Sequence, residues 1–570
     1  MARLAIGSRG PKDRALFALF RAGAVLMALS IAAVALGYSA YLSFTDLDPP
    51  DVEVVPSELI VDPTGRRLSY GRSWLDRDGK LWRMYLEGDP VAMGSARGRL
   101  TARLFSQLDG DLRTAVERRY AAWLEGWTAG MVLRWDYRGA DAFIAEPHRL
   151  ELAAMASSLP EADNEPIGAY HRLFLYQCFH GLGQRLDDVL LEGSMFAVAP
   201  KRTSSGEPGN LILGRTLSVD LERGTQPDRI VTFHRPDGRY PFVSVGWAGL
   251  VGVVTGINAR GIFVAVNAAR TDDPLEEGSP LPLVLRDVLE QADTMEQAVQ
   301  MLQDAKIRSS GIVLVGDGVQ RQAVVVELAA RDREDRRVAR GQDDSTVWAT
   351  DHMTSEPFEG DSANDWVRRY TSSGYRSDRL EELLSGPEPM DPLRAASILR
   401  DRRGLKDASL GLGNRNALDN MSTTHAVVVD ASAMVLWVSE GPSALGRFQA
   451  IDLRRMLARD AGPPAPLDDL PPDPLLFSEG YRDYEEAIEA IVYAQSLLGR
   501  GLPEHAKWSA KVALALAPDV GDLHRLLGDI ERELGNRAEA RTHYERYLEL
   551  VPGRRRDQVR VEGILAELEG

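Results

Sequence analysis

Cysteine is nearly absent from this sequence. The 570 residues contain a single one, Cys178, which excludes an internal disulfide framework and any zinc or iron–sulfur site that needs several thiolates. Positive charge is also in short supply, because 84 acidic residues oppose 67 basic ones. A net charge of −17 lacks the basic excess typical of nucleic-acid binding proteins, so we expect no nucleic-acid partner. No metal site or cofactor is indicated, and any chemistry must come from Ser, Asp, Asn, Arg or the nine histidines.

The chain is nevertheless long and of ordinary globular composition. It is 44% hydrophobic and 26% charged, which disfavours a mainly disordered or polytopic membrane protein. A length of 570 residues predicts two or more domains.

The first 45 residues predict a membrane anchor. Residues 1–21 are basic, and residues 22–44 carry no charge, a run of roughly 34 Å as a helix and enough to cross a bilayer. The basic flank predicts a cytoplasmic N-terminus, with the rest of the chain outside the cytoplasm, or in the periplasm of a bacterium. A cleaved signal peptide ending near Ala40 is the alternative, but the apolar run is long for that and Tyr38 disrupts the cleavage pattern. A buried core helix is disfavoured because the segment lacks a polar face. Residues 46–80 then form a lead-in that begins with an extended tether over residues 46–55.

The C-terminal residues 476–570 contain a repeat. The tripeptides at 516–518 (Leu-Ala-Pro) and 550–552 (Leu-Val-Pro) are 34 residues apart, and the segment resembles tetratricopeptide repeats, which have that period. An ordinary helical hairpin is the alternative. The resemblance implies a helical module that binds a peptide or protein partner or docks on its own chain. A proline-rich linker, residues 461–475, precedes it.

Residues 81–460 form the large central domain. From Asp89 to about Leu191 the apolar spacing predicts helices, and afterwards short strand-like runs alternate with helices at 283–302, 376–384 and 392–402. This order predicts layered sheets covered by helices. The predicted strands are 194–199, 211–217, 243–247, 251–255, 261–267, 311–315, 323–328, 426–430 and 435–438.

The stretch after Glu192 carries a family resemblance. Gly193 and Ser194 open a predicted strand, a turn follows, and the next strand holds Gly214 and Arg215. The pattern resembles the start of the catalytic chain in N-terminal-nucleophile (Ntn) hydrolases. The local run is similar to the serine-dependent penicillin and cephalosporin acylases.

The rest of the central domain resembles the acyl-coenzyme A:6-aminopenicillanic acid acyltransferase family and its choloylglycine-hydrolase relatives. The resemblance rests on the order of several weak motifs: glycines at 88, 94 and 98, a glycine-rich hairpin over 249–267 ending in Asn267, Thr350-Asp351-His352, and the helix that begins near Arg376. It implies an α+β fold, a four-layer αββα sandwich of the Ntn-hydrolase type.

The family's chemistry implies roles for these residues. The chain would cleave itself between Gly193 and Ser194, and the freed α-amine, with a pKa of about 8, would act as base for the Ser194 hydroxyl. Gly193, which lacks a Cβ, would allow the strained turn that such cleavage needs. Asn267 would stabilise the oxyanion. Arg215 and Arg376 match basic residues that surround the nucleophile in the family, and Asp351 is a further site candidate. The secondary candidates are Asp220, as a substitute for a missing family carboxylate, His352, and Cys178 as an alternative nucleophile suggested by the nearby histidine.

The sequence departs from the family pattern at three places. The family nucleophile is Cys, with an aromatic or aliphatic residue three positions later, whereas Phe196 lies two positions after Ser194. Either one residue is deleted here or the match shifts onto Gly193. The family carboxylate on the second strand is replaced by Ser218, and Asp351 stands where the family has Asn.

Two classes of function remain. The first is a membrane-anchored, self-processing amidohydrolase or acyltransferase that acts on a small N-acylated substrate through an acyl-serine. The second is a non-catalytic extracytoplasmic scaffold of the same fold whose repeats bind partners. A phospholipase B-like hydrolase is a further alternative.

Overall fold

The central domain is built on two β-sheets. The computed structural model describes residues 11–119, 131–132, 134–159, 167–181, 191–204, 206, 209–219, 227–331, 337–341, 345–458, 467–551 and 555–569. The strands are, in chain order, β1 Leu59–Val61, β2 Arg67–Tyr70, β3 Ser73–Asp78, β4 Leu81–Gly88, β5 Leu191–Val198, β6 Ile212–Val219, β7 Ile230–Pro236, β8 Phe242–Gly246, β9 Thr255–Asn258, β10 Ile262–Ala268, β11 Gly311–Asp317, β12 Gln322–Leu328, β13 Arg337–Arg340, β14 Thr346–Ala349, β15 Thr423–Asp430, β16 Val435–Ser439 and β17 Phe448–Asp452.

The larger sheet runs β1-β2-β3-β4-β7-β8-β9-β10-β11-β12-β13, and the smaller one runs β14-β5-β6-β15-β16-β17. Most neighbours are antiparallel, but β4 and β7 pair in parallel, from Trp82 with Ile230 to Gly88 with Pro236. This pairing joins the β1–β4 ribbon to the main sheet.

Helices cover the sheets and lie at both ends of the part of the chain that the structure describes. They are α1 Pro11–Thr45, α2 Pro90–Arg119, α3 Glu146–Ser158, α4 Ala169–Gln177, α5 Leu281–Gln291, α6 Met295–Asp304, α7 Ser362–Tyr370, α8 Ser373–Leu384, α9 Pro392–Leu399, α10 Leu453–Leu457, α11 Glu479–Gly499, α12 Pro503–Leu516, α13 Gly521–Glu533, α14 Arg537–Leu550 and α15 Arg555–Glu569. The chain is therefore mixed α and β, with a helical C-terminal region and one apolar N-terminal helix.

The two sheets pack face to face through one apolar core. Because side chains alternate along a strand, Met195 and Ala197 of β5 lie in this core, which also contains Val231 and Phe233 of β7. The outward-facing Phe196 of β5 packs instead against α8 and α9. Helices α5 and α6 pack on the outer face of the larger sheet. Successive side chains of β5 therefore lie alternately between the two sheets and beneath α8.

Two of the predicted elements differ from the structure. The predicted strand 251–255 is wrong: residues 251–254 are a loop, and β9 begins at Thr255. The loop's backbone is bound elsewhere, because the Gln177 side-chain oxygen accepts hydrogen bonds from the amides of Val251 and Gly252. The predicted helix 283–302 is two helices, α5 and α6, because the Thr294 side chain caps a new start.

The N-terminal helix is exposed along its apolar length. Its segment Phe20–Thr45 is long and apolar enough to cross a membrane, with none of the tested window buried; a signal sequence has the same character. The predicted extended tether follows it, and its first residues contact the central domain. Asp46 contacts Arg134 at 3.3 Å and His171 at 3.2 Å, and Leu47 is buried.

The C-terminal helices pack against the central domain. Helices α12 and α14 both end at the predicted repeat positions, Leu516 and Leu550, so the 34-residue period corresponds to one helix pair. The Asn414 side chain donates a 2.6 Å hydrogen bond to the Leu550 carbonyl oxygen, and Leu445 of the central domain is buried in the α11–α13 core. The tetratricopeptide identity of this region stays a prediction.

Candidate active site

Ser194 lies inside strand β5. The strand begins at Leu191, and Gly193 and Ser194 pair with Leu217 and Thr216 of β6. The sequence predicted a strand that starts at Ser194 after a turn at Gly193. The structure has no turn there, because the pairing with β6 already starts at Leu191 and keeps Gly193 extended.

The backbone of Gly193 is bound by an ion pair in place of a neighbouring strand. Strand β14 pairs with β5 only from Met195 onward. Beyond that point the Gly193 amide donates to Asp351 Oδ1 at 2.8 Å, and Arg376 Nη1 donates to the Gly193 carbonyl oxygen at 3.0 Å. Arg376 Nη2 and Asp351 Oδ2 are 2.6 Å apart. The buried Asp351–Arg376 pair thus closes the edge of the sheet at the predicted cleavage position.

The Ser194 hydroxyl shares the same guanidinium. Arg376 Nη1 lies 3.3 Å from Ser194 Oγ, and Ser194 is 1% exposed. Glu192, on the same face of β5, has a carboxylate oxygen 3.8 Å from Arg376 Nη2. That oxygen is buried and makes no hydrogen bond with any residue that the structure describes. Ser194, two carboxylates and Arg376 therefore form one buried cluster on the α8 side of β5.

Asn267 and Arg215 lie on the opposite face of β5. Arg215 Nη1 donates to Asn267 Oδ1 at 3.2 Å and lies 3.8 Å from the Met195 sulfur, which is in the core between the sheets. The Asn267 amide nitrogen donates to the Thr350 carbonyl oxygen at 2.9 Å. A Cβ on Gly193 would lie 2.2 Å from Asn267 Oδ1. Gly193, rather than Ser194, therefore faces Asn267.

The five primary site residues predicted from the sequence are thus close together but in two groups. Ser194, Arg376 and Asp351 form one group, and Arg215 and Asn267 form the other, with the Gly193 backbone between them. The Asn267 amide nitrogen already donates to Thr350, and the group that donates to the Gly193 carbonyl oxygen is Arg376.

Burial changes the charges of the site. Burial raises the pKa of Asp351 to about 7, and the neighbouring charge of Glu192 adds to the shift while Arg376 opposes it. Burial lowers the pKa of His352 to about 4, so its imidazole is neutral at physiological pH. His352 Nδ1 lies 2.8 Å from Ser373 Oγ, which accepts a hydrogen bond from the Asp351 amide. His352 therefore supports the backbone that carries Asp351.

The remaining secondary candidates lie elsewhere. Cys178 packs in the apolar cluster of α2, α3 and α4, and burial raises the pKa of its thiol. Asp220 lies outside the described residues. Across the ranges that the structure covers, no three His, Cys, Asp or Glu side chains are grouped to hold a metal ion.

Sequence reasoning missed three supporting residues. Glu192 could have been found, because it directly precedes the predicted cleavage pair. Ser373 and His180, whose Nε2 lies 3.1 Å from the Asn267 carbonyl oxygen, gave no signal, because their contacts depend on the folded chain.

The close approach of Gly193 to Asn267 predicts the effect of a small substitution. Gly193→Ala is expected to destabilise the protein by about 1–3 kcal/mol, because the new methyl group displaces the Asn267 side chain from Arg215 and Thr350. The midpoint of denaturant unfolding in detergent measures this. Gly110→Ala is the matched control: its Cβ meets no atom within 4 Å, and in helix α2 it is expected to be neutral or stabilising. Equal stability of both variants would contradict the packing described.

Comparison with known proteins places the resemblance in the central domain. The sequence model of the family "acyl-coenzyme A:6-aminopenicillanic acid acyl-transferase" matches residues 206–444. Arg215, Asn267, Asp351 and Arg376 lie inside this segment, whereas Gly193 and Ser194 precede it. Among curated proteins, an uncharacterized protein of Archaeoglobus fulgidus is 29% identical over 126 residues. That match covers 21% of this chain and 21% of the archaeal protein, about a fifth of its length.

Three solved structures illustrate the structural similarity. The N-acylethanolamine-hydrolyzing acid amidase ortholog of Caenorhabditis elegans is 17% identical, with a TM-score of 0.28 over 42% of this chain and 93% of that chain. Penicillin V acylase from Agrobacterium tumefaciens is 17% identical, with a TM-score of 0.29 over 47% of this chain and 89% of that chain. Conjugated bile acid hydrolase from Clostridium perfringens is 10% identical, with a TM-score of 0.31 over 47% of this chain and 95% of that chain.

Proposed function

We propose that this chain is a membrane-anchored acylase of the N-terminal-nucleophile type that acts on the amide bond of a small N-acylated substrate through an acyl-serine at Ser194. The observation that carries the proposal is that one guanidinium nitrogen, Arg376 Nη1, lies within hydrogen-bond reach of both the Gly193 carbonyl oxygen and Ser194 Oγ. The family match over residues 206–444 supports the same chemistry. No cofactor is required.

The geometry suggests how the chain would process itself. Ser194 Oγ attacks the Gly193 carbonyl carbon, and Arg376 stabilises the negative charge that develops on the carbonyl oxygen. The peptide C–N bond then breaks, the hydroxyl proton passes to the Ser194 nitrogen, and an ester joins Gly193 to Ser194. Water hydrolyses this ester, which leaves a carboxylate on Gly193 and a free α-amine on Ser194.

The freed α-amine would supply the base for turnover. With a pKa of about 8 it is partly neutral at physiological pH and can take the Ser194 hydroxyl proton. The hydroxyl oxygen attacks the substrate amide carbon, and the amine product leaves with the proton. Water or a second amine then takes the acyl group from Ser194, so hydrolysis and acyl transfer share one intermediate.

The architecture proposed with this function has five segments. Residues 1–45 would anchor the chain with a cytoplasmic N-terminus, and residues 46–80 lead into a four-layer αββα domain at 81–460. The linker 461–475 and a tetratricopeptide module at 476–570 would follow, the latter for a protein or peptide partner.

A non-catalytic scaffold is the second candidate, and one observation favours it. Gly193, which has no side chain, faces Asn267 and Arg215, whereas Ser194 faces α8. If the nucleophile position of the family corresponds to Gly193, the site lacks a nucleophile and can only bind its ligand.

Replacing Ser194 distinguishes the two candidates. The acylase predicts that the purified 62.7 kDa chain appears on a denaturing gel as fragments of about one third and two thirds of its mass, with Ser194 at the new N-terminus. Ser194→Ala is expected to abolish this cleavage and the hydrolysis of a panel of N-acyl amines. Ser95→Ala, a buried serine of α2 without a side-chain partner in the described structure, is the control and is expected to be cleaved normally. An intact wild-type chain that is inert toward the panel would refute the acylase and leave the scaffold.

A further inference from the structure

The end of helix α1 is hydrogen-bonded to the central domain. Thr45 is fully buried, and its hydroxyl accepts a 3.2 Å hydrogen bond from Arg134 Nε. Arg134 also contacts Asp46 at 3.3 Å, and the Tyr41 hydroxyl donates to the Met131 carbonyl oxygen. The last turn of α1 is thus held against the surface around Met131 and Arg134.

That surface exposes large apolar side chains next to the helix. Val132 is 45% exposed, Trp135 46% and Phe143 36%, and Phe44 at the end of α1 is 64% exposed. The rings of Phe44 and Trp135 have centroids 5.7 Å apart. We call Phe44, Val132, Trp135 and Phe143 the apolar collar. Through the contact between Phe44 and Trp135, the exposed apolar surface of α1 continues onto the central domain.

Cationic side chains accompany the collar. The exposed Arg138 guanidinium lies 4.2 Å from the centre of the Trp135 ring, and the Lys306 ammonium lies 5.8 Å from that of Phe143. An aromatic ring with a cation above it suits the membrane interface, where the ring enters the acyl boundary and the cation meets a phosphate.

We propose that the apolar collar is a second membrane contact, inserted at the headgroup level of the bilayer that α1 crosses. The proposal rests on the membrane anchor proposed above. Segment Phe20–Thr45 is about 39 Å long as a helix, longer than the roughly 30 Å hydrocarbon core. The last turn of α1 therefore reaches the interface, and the collar packed beside it reaches the same level. The central domain then sits on the bilayer in one orientation.

The single buried cysteine makes a direct test possible. Cys178 is 3% exposed, so an engineered cysteine takes up a thiol-reactive, polarity-sensitive fluorophore selectively. We would label Trp135→Cys in the full-length chain, reconstitute it in phospholipid nanodiscs, and compare discs with and without lipids that carry a nitroxide at a shallow or a deep acyl position. Leu29→Cys, within α1, reports the membrane interior. Val319→Cys, 77% exposed on the turn after β11, reports the aqueous surface.

The expected result is that the label at residue 135 shifts to shorter wavelength in nanodiscs and loses most of its emission to the shallow nitroxide. The label at residue 29 is expected to be quenched by the deep nitroxide, and the one at residue 319 by neither. A label at residue 135 that behaves like the label at residue 319 would overturn the proposal. A shift of its emission to shorter wavelength without quenching by either nitroxide would also overturn it, because that result would indicate burial against a second protein copy. Failure of the chain to enter nanodiscs would overturn both the collar and the anchor. None of these readouts depends on acylase activity.

Discussion

Replacing Arg376 with methionine is expected to abolish the proposed cleavage before Ser194 and the proposed acylase activity, and to destabilise the fold by about 3–5 kcal/mol. The substitution removes the donor to the Gly193 carbonyl oxygen and the ion-pair partner of Asp351 together. Asp351 and the Gly193 carbonyl oxygen would remain buried without this partner. Denaturing gels report the cleavage, and denaturant unfolding in detergent reports the stability.

A matched variant separates loss of chemistry from loss of stability. Arg379, one turn further along α8, is also buried and binds Asp401 through two hydrogen bonds of 2.9 and 3.0 Å. Arg379→Met is expected to destabilise the protein while leaving cleavage before Ser194 intact. Cleavage in Arg376→Met at the wild-type rate would exclude Arg376 as the oxyanion-stabilising group. Arg376→Lys keeps the charge but not the planar fork of the guanidinium. Its rate of cleavage before Ser194 is expected to lie between those of Arg376→Met and Arg379→Met.

The second large effect concerns Asp351 and pH. Its pKa is raised from 3.8 to about 7 in the folded chain, so folding favours the protonated acid. Its contribution to stability is complete below about pH 4 and is lost as the pH rises through 7. At about 1.4 kcal/mol per pKa unit, the loss amounts to about 4 kcal/mol. Asp351→Asn, which cannot ionise, is expected to remove this trend.

The comparison with wild type is needed because buried histidines change the unfolding free energy with pH in the opposite direction. The pKa values of His180 and His352 are lowered from 6.5 to about 4 by burial, so their contribution is lost as the pH falls below 6.5. The difference in unfolding free energy between wild type and Asp351→Asn cancels these terms. It is expected to change steadily between about pH 4 and pH 7. A difference that does not vary with pH would mean that Arg376 keeps Asp351 ionised throughout.

The residues of the site could be predicted from the sequence better than their orientation. The resemblance to the acyltransferase family, carried by the order and spacing of its motifs, was enough to predict Arg215, Asn267, Asp351 and Arg376 as neighbours of Ser194. Which face of β5 each side chain occupies depends on register, and a shift of one residue exchanges the two faces. The sequence left open whether the family nucleophile corresponds to Ser194 or Gly193. In the structure Ser194 lies beside Arg376, whereas Gly193 faces Asn267.

Elements fixed by distant contacts were beyond sequence reasoning. The loop at residues 251–254 has the β-branched composition of a strand, but the Gln177 side chain, more than 70 positions away in sequence, holds its amides. Strand β7 was not predicted, although its parallel partner β4 gives it one of the longest registers in the larger sheet. Local propensity is a weak guide where tertiary contacts satisfy the backbone.

The closed edge of the smaller sheet has a further consequence for the proposed acylase. The amide and carbonyl groups of Gly193 occupy the Asp351–Arg376 pair as a covalently attached ligand. Well-oriented intramolecular groups reach effective molarities of about 10⁵ M or more, which no dissolved amide can match. While the segment before Ser194 remains in place, an external substrate would therefore be outcompeted, and the intact chain of the proposed acylase would be a zymogen. Catalysis would begin only when peptide cleavage is followed by departure of residues 191–193 from the sheet.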